Sequence, residues 1–326
     1  QPHPRWRRAD GERGGRGVES GDVRRTPRLL RATWSLALLV AHAGCGGDGA
    51  SGGDAGPDGP PVDPSCASDR EPSARFSVVA EPGASARLGS QVGGQLLAFP
   101  HPRLEATLLT EGSCRFVGAR PALCEPACGG AQVCDVDGRC ADYPEALAAG
   151  AFTVTGTTPP VTLTPRAGNG YYADQGYPGL YRPGDPITLA LAGAGPVAAL
   201  SATVRGVPPL ALPTTQLVAR EHAPMDVAWT PIATPAEAEV LVHFDSDHHG
   251  VRAYVECVAP AAAGELTIPA ALLDRLILAG ETGIGTYIEN AWIEVHHQAR
   301  LETPRGCAVL ESYADQFVHV ETVRAP

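Results

Sequence analysis

Apolar and polar residues alternate with a period of two over much of the chain from residue 75 onward. Phe76, Val78 and Ala80 alternate with Ser77, Val79 and Glu81, and Leu104, Ala106 and Leu108 repeat the pattern. The segments AFTVTG (151–156), PITLALAG (186–193), AALSATVRG (198–206), AEVLVHFD (238–245), GVRAYVEC (250–257), AWIEVHHQARLE (291–302) and QFVHVETV (316–323) read as strands too. In the clearest case Val240, Val242 and Phe244 share one face, with Leu241 and His243 on the other. Only residues 269–278 look helical, with Pro269 near the first turn. Many short strands between turns predict a mainly β fold, a β-sandwich of Ig-like or jelly-roll-like type. The 38 Gly and 31 Pro residues supply the turns such a fold needs.

Before residue 75 the pattern changes. Arg24, Arg25, Arg28 and Arg31 precede an uncharged stretch, residues 32–43 (ATWSLALLVAHA). Its 12 residues fit a signal-peptide core and fall short of the roughly 20 that cross a bilayer. Residues 45–65 form a Gly/Asp/Pro/Ser tract that buries too little apolar surface to fold and reads as a flexible linker. The expected organisation is a signal region over 1–44 within a disordered N-terminal part, the linker over 45–65, strands with a cysteine-rich module (114–140) over 66–148, and a β-sandwich over 149–326. Residue 1 is Gln and Met225 is the only methionine, so the chain reads as starting upstream of its translation start, with Val18 or Val23 as GTG-coded alternatives.

Charge narrows the choice of partners. Residues 1–32 hold nine Arg against four acids; the chain as a whole is at −11, so the remainder is strongly acidic. An acidic mature part repels phosphate, which argues against nucleic acid as a partner. All 25 basic residues are arginine, as expected of a GC-rich coding bias.

Nine cysteines stand at 45, 66, 114, 124, 128, 134, 140, 257 and 307. Setting Cys45 aside leaves an even number in an exported chain, which reads as disulfides among Cys66, Cys114, Cys124, Cys128, Cys134, Cys140, Cys257 and Cys307. Zinc is disfavoured, because the chain has no Cys-x2-Cys spacing and no His between Cys114 and Cys140. The segment CEPACGGAQVCDVDGRC is apolar-poor and resembles a small EGF-like module, with Asp135 and Asp137 before Gly138 read as a tight turn rather than a calcium loop. Cys257 and Cys307 are the only cysteines after Cys140, and a bridge between them is expected to make the C-terminal part covalently independent.

Ala43, Gly44 and Cys45 resemble the lipobox of bacterial lipoproteins, with His42 where Leu is usual. The resemblance implies cleavage before Cys45, acylation there, and a membrane partner through the lipid. Gly46 and Gly47 imply sorting to the outer membrane, facing the periplasm or the cell surface. From residue 75 to 323 the order GSC…CEPACGGAQVCDVDGRC, AGAFTVTG, YPGLYRPGDPITLALAGAGPVAALSATV, VAWTP, VRAYVEC and GELTIPAALLDRL resembles uncharacterised surface lipoproteins of GC-rich Gram-negative bacteria. That resemblance is structural and carries no activity with it.

Three groups of residues are candidates for chemistry. Tyr171, Tyr172, Tyr177 and Tyr181 lie in a Gly-rich stretch and suggest an aromatic platform for a glycan or an envelope protein. Asp245, Asp247, His248 and His249 are metal-ligand types in HFDSDHHG, although a polar hairpin turn explains the same letters. His296 and His297 are neighbours on a strand and must point to opposite faces. For catalysis there is no Gly-x-Ser-x-Gly, His-Glu-x-x-His or P-loop, and no feature singles out an acid pair such as Glu294 with Asp245. The expected function is therefore binding or surface display without a cofactor. The alternative is a carbohydrate-active or metal-dependent enzyme on a β-sandwich.

Overall fold

The computed structural model describes residues 66, 72–79, 90–119, 124–173, 176–177, 179–246, 253–282, 285–286 and 288–324. The described chain is mostly β. In chain order the strands are β1 (Ala74–Val79), β2 (Gln91–Leu96), β3 (Glu105–Glu111), β4 (Cys114–Ala119), β5 (Gln132–Cys134), β6 (Cys140–Asp142), β7 (Phe152–Thr155), β8 (Val161–Leu163), β9 (Tyr171–Tyr172) and β10 (Pro186–Leu191). They continue as β11 (Leu200–Arg205), β12 (Gln216–Arg220), β13 (Met225–Ala228), β14 (Glu239–Asp245), β15 (Ala253–Pro260), β16 (Glu265–Ile268), β17 (Glu281–Thr282), β18 (Gly285–Thr286), β19 (Ile288–Thr303) and β20 (Gly306–Val323). One α-helix, α1 (Ala270–Ala279), starts after Pro269 as the sequence predicts and buries Leu272, Leu273, Leu276 and Ile277.

Ten strands form one sheet in the order β3-β4-β15-β14-β19-β20-β1-β2-β9, with β12 pairing the far end of β20. Strands from either side of residue 148 are hydrogen-bonded within it, so this sheet runs across the boundary expected there. Its spine is the hairpin of β19 and β20, 16 and 18 residues long. Their turn is closed by Thr303, whose hydroxyl donates to the Gly306 carbonyl and accepts from the Arg305 N–H. A second sheet has the order β11-β10-β7-β8.

Both hydrophobic cores lie on one face of the large sheet. Val240, Val242 and Phe244 of β14, Val255 and Cys257 of β15 and Ile293 and Val295 of β19 pack with Val227, Ile268 and the buried side of α1. Phe76 and Val78 of β1 and Ala308 and Leu310 of β20 pack with Phe152, Val154, Ile187, Leu189 and Val204 of the second sheet. Gly94 lies opposite Phe76 because a Cβ there would fall 2.2 Å from the Phe76 ring. Leu104 and Leu108, read as half of a buried alternation, are exposed: β3 is an edge strand with a register shift between Thr107 and Leu109.

The cysteine pairing corrects one expectation. Four bridges form: Cys66–Cys307, Cys114–Cys257, Cys124–Cys134 and Cys128–Cys140. Cys257 does face the core, fully buried, but its neighbour across the ladder is Cys114 on β4, with Cα atoms 4.0 Å apart. The expected Cys257–Cys307 bridge is excluded by parity. Cys307 stands one residue out of phase with the core residues Ala308 and Leu310, on the opposite side of the sheet. The C-terminal part is thus tied covalently to the N-terminal part twice. The cysteine-rich module is smaller than expected, because Cys114 belongs to β4. It is the β5–β6 hairpin with two bridges, and its turn is closed by the Asp135 carboxylate, which accepts from the Asp137 and Arg139 N–H groups.

Candidate binding surface

The strands that bury Val, Ile and Phe on one face must present the alternate residues on the other. The ladder register shows what these are. One row across the sheet reads Phe317, Trp292, His243, Glu256, Arg115. The next reads Asp315, Glu294, Leu241, Val258, and the third reads Tyr313, His296, Glu239, flanked by Val79 and Gln91. A fourth row is Gln298, Glu311, Ser77, Gly93, Tyr172, and a fifth is Arg300, Val309, Arg75, Gln95. Nearly every ionisable side chain of the central strands is therefore on this outward face. His297 is the exception its position demands: it lies on the inner face, where Nδ1 accepts from the Arg205 N–H of β11.

Two networks organise the surface. In the first, His243 Nδ1 lies 3.0 Å from one oxygen of Glu256, and Arg115 donates from Nε and Nη2 to the other at 3.0 and 2.6 Å. Burial alone would favour the neutral acid, but His243 and Arg115 outweigh it and hold the Glu256 carboxyl at about 2. The His243 ring, only 2% exposed, is stacked between Trp292 and Tyr254, with centroids 3.5 and 4.8 Å away. Its Nε2 has no hydrogen-bond partner and lies 3.8 Å from Asp245 Oδ2.

In the second network His296 sits between Glu294, 3.2 Å from Nδ1, and Glu239, 3.6 Å from Nε2. Burial opposes the charged ring, but the two carboxylates prevail and raise its pKa to about 9, so it is an imidazolium at neutral pH. Glu311, 2% exposed, lies beside it with Arg75 at 3.4 Å. Burial, against the pull of Arg75, shifts the Glu311 carboxyl above the usual range. Burial also raises the Tyr313 phenol and lowers Arg300, which Arg75 further disfavours.

No protein-family model matches this chain, and no curated protein matches it. The surface must be read on its own chemistry.

The residues singled out from the sequence are dispersed. Tyr171 is not part of a platform: it is 1% exposed, packed against Phe76 and Phe152, and its hydroxyl bridges the Ala149 N–H and the Gly150 carbonyl. It faces inward because β9 pairs with β2 and its parity follows Gly94. Tyr172, one residue on, is exposed on the outward face with the Arg166 guanidinium 4.4 Å over its ring. Tyr177 is half-buried and bridged to Ser90 through its backbone. Tyr181 is wedged between the two cores with its hydroxyl buried, which shifts its ionisation upward.

Of the weak metal candidates, Asp245 is buried at the outward-facing end of β14, while Asp247, His248 and His249 lie outside the described residues. The sulfurs of Cys124, Cys128 and Cys140 come within 4.8 Å of one another, but all three are consumed in disulfides. Sequence reasoning noted His243, Glu294 and His296 but missed Arg115, Glu256, Trp292, Glu311 and Phe317. Their signal was present as the alternate phase of CRFVGA, AYVEC, AWIEVHHQAR and ESYADQF; what was missing was the register that brings the phases together.

Proposed function

We propose that this chain is an exported cell-envelope lipoprotein, held at the outer membrane through acylated Cys45, whose β-rich mature part binds a ligand and displays its EGF-like module. The observation that carries this reading is cysteine parity. Eight of the nine cysteines are bonded to one another, which leaves no other cysteine for Cys45 to pair with. That cysteine follows the small residues and apolar run of a lipoprotein signal, and acylation gives it a use. Several acyl chains on one residue hold far more firmly than one, because each buried methylene adds about 0.8 kcal/mol. Four disulfides fit an oxidising compartment. Binding is supported by an outward sheet face on which polar and aromatic groups are fixed by ion pairs rather than left mobile.

Labelled palmitate tests the anchor. Incorporation into the wild-type chain is expected, and Cys45→Ser should abolish it and release the protein from the membrane. A wild-type protein cleaved after Ala43 and carrying no lipid would overturn the reading.

A further inference from the structure

We propose that the outward face of the ten-stranded sheet is a binding surface for a neutral glycan. The inference rests on the binding reading above but not on the lipid anchor.

Buried ion pairs and polar networks stabilise a fold no better than apolar residues of the same size, and often less well. This face nevertheless places His243, His296 and Glu311 at single-digit exposure. Among the described residues the second sheet, β13, β16 and α1 pack on the other side, through the alternate residues of the same strands, and the Cys66–Cys307 bridge stands at one end of this face. His243 Nε2, buried and without a hydrogen-bond partner, marks this face as shaped for something other than stability.

Arg115 is matched by Glu256, Arg75 by Glu311, and His296 by Glu239 and Glu294. Over the five rows together four cations (Arg115, His296, Arg75 and Arg300) stand among five carboxylates (Glu256, Asp315, Glu294, Glu239 and Glu311), so the face has little surplus of either sign to attract an ion. A polyanion would in addition be repelled by a chain whose net charge is −11. What the face offers instead is a dense set of fixed donors and acceptors, including the amides of Gln91, Gln95 and Gln298. Hydroxyl groups, which both donate and accept, are the complement of such a set.

Tyr254, His243 and Trp292 form a continuous stack across three adjacent strands, and the row ends in Phe317, which is 54% exposed. The stack holds its rings against one another, and the exposed Phe317 at the end of the row gives an apolar contact to the C–H face of a sugar while polar neighbours take its hydroxyls. From β15 to β20 the row crosses three strand spacings, about 14 Å, a span suited to an oligosaccharide rather than a single sugar.

The test is affinity electrophoresis of the mature protein in native gels containing dissolved hydroxyethyl cellulose, galactomannan or dextran, with polygalacturonate as the charged comparison. Retardation by at least one neutral polymer is expected, and it should persist at high salt. Phe317→Ala and Trp292→Ala should each weaken it by about tenfold, the loss typical of a central aromatic contact. Phe317 is exposed, so its variant keeps the fold even if Trp292→Ala does not. Leu278→Ala, on the exposed side of α1, should change nothing. The proposal fails if none of the three neutral polymers retards the protein, if polygalacturonate alone does, or if both aromatic variants bind like wild type. A protein that binds but carries no palmitate would sink the anchor and leave the glycan surface standing.

Discussion

Cys307 bonds to Cys66 and not to Cys257, because on β20 it stands on the opposite side of the sheet from Cys257. The two long bridges close loops of 241 and 143 residues. On the chain-entropy model each contributes about 5 kcal/mol by constraining the unfolded chain. Peptide mapping without reduction should recover Cys66 linked to Cys307 and Cys114 linked to Cys257. Replacing both members of either pair by Ala should lower the melting temperature by many degrees. Recovery of a Cys257–Cys307 peptide would refute the register of β15 against β4.

Tyr171 should behave as a core residue. Tyr171→Phe removes the hydroxyl that satisfies the Ala149 N–H and the Gly150 carbonyl, at a cost of about 1–3 kcal/mol. Tyr171→Ala should cost about 3–5 kcal/mol by leaving a cavity between Phe76 and Phe152. Tyr172→Ala, on the exposed side of the same strand, should cost under 1 kcal/mol. Denaturant melts of the three variants decide the order, and equal losses at 171 and 172 would contradict it.

His296 predicts a weakness in alkali. Its folded pKa of about 9 lies above the unfolded value of 6.5. The contribution is therefore complete below pH 6.5 and is lost as pH rises through 9. Two and a half pKa units correspond to about 3 kcal/mol. The wild-type melting temperature should fall between pH 7 and pH 10, and His296→Gln should flatten that limb. An unchanged limb in the variant would mean that the imidazolium is not held by Glu239 and Glu294.

Glu256 predicts the mirror behaviour in acid. Its folded pKa of about 2 lies below the usual carboxylate value of 4.5. Its contribution is present above pH 4.5 and disappears as pH falls towards 2. Glu256→Gln should destabilise the protein at pH 7 by about 3–5 kcal/mol, because the amide removes the negative charge and one of the two acceptor oxygens that serve Arg115 and His243. The variant should also lose the acid-sensitive limb. Melts at pH 3 and pH 7 would show whether the difference between the two proteins shrinks as it must.

Much of the β architecture was legible because burial enforces alternation. β7, β10, β11, β14, β15 and β19 fall where apolar residues repeat at every second position, and α1 begins where Pro269 allows it. Strands with weak alternation were missed. β2 reads QVGGQL because its neighbours Phe76 and Tyr171 fill the space that larger side chains would take, so its own letters look like a turn. β20 was seen only in its second half, since LESYADQF mixes two acids, two hydroxyls and an amide into the longest of the described strands. The binding surface was legible one strand at a time and not as a whole. Trp292, His243, Glu256 and Arg115 come from four strands, spread over nearly 180 positions of chain. Long-range register is set by the packing of both cores, and no local pattern encodes it. The disulfide error has the same origin: nearness in sequence suggested Cys257 with Cys307, while the ladder decided otherwise.

The bridge at Cys66 also has a mechanical consequence. If the chain is tethered at Cys45, any drag on the body of the protein is transmitted through Cys66. From there the load divides between the backbone leading to β1 and the disulfide leading to the start of β20. These two strands are parallel neighbours, with Ala74 beside Ala308, so both are pulled from the same end in the same direction. Such a pull does not peel one from the other. A lengthwise pull on this end loads β1, β20 and, through the Thr303–Gly306 turn, β19 together, so that yielding would break the ladders to β2 and β14 many hydrogen bonds at once instead of one at a time. Under such a tether the body would be clamped in shear, at the point where an unbridged N-terminal strand would unzip first.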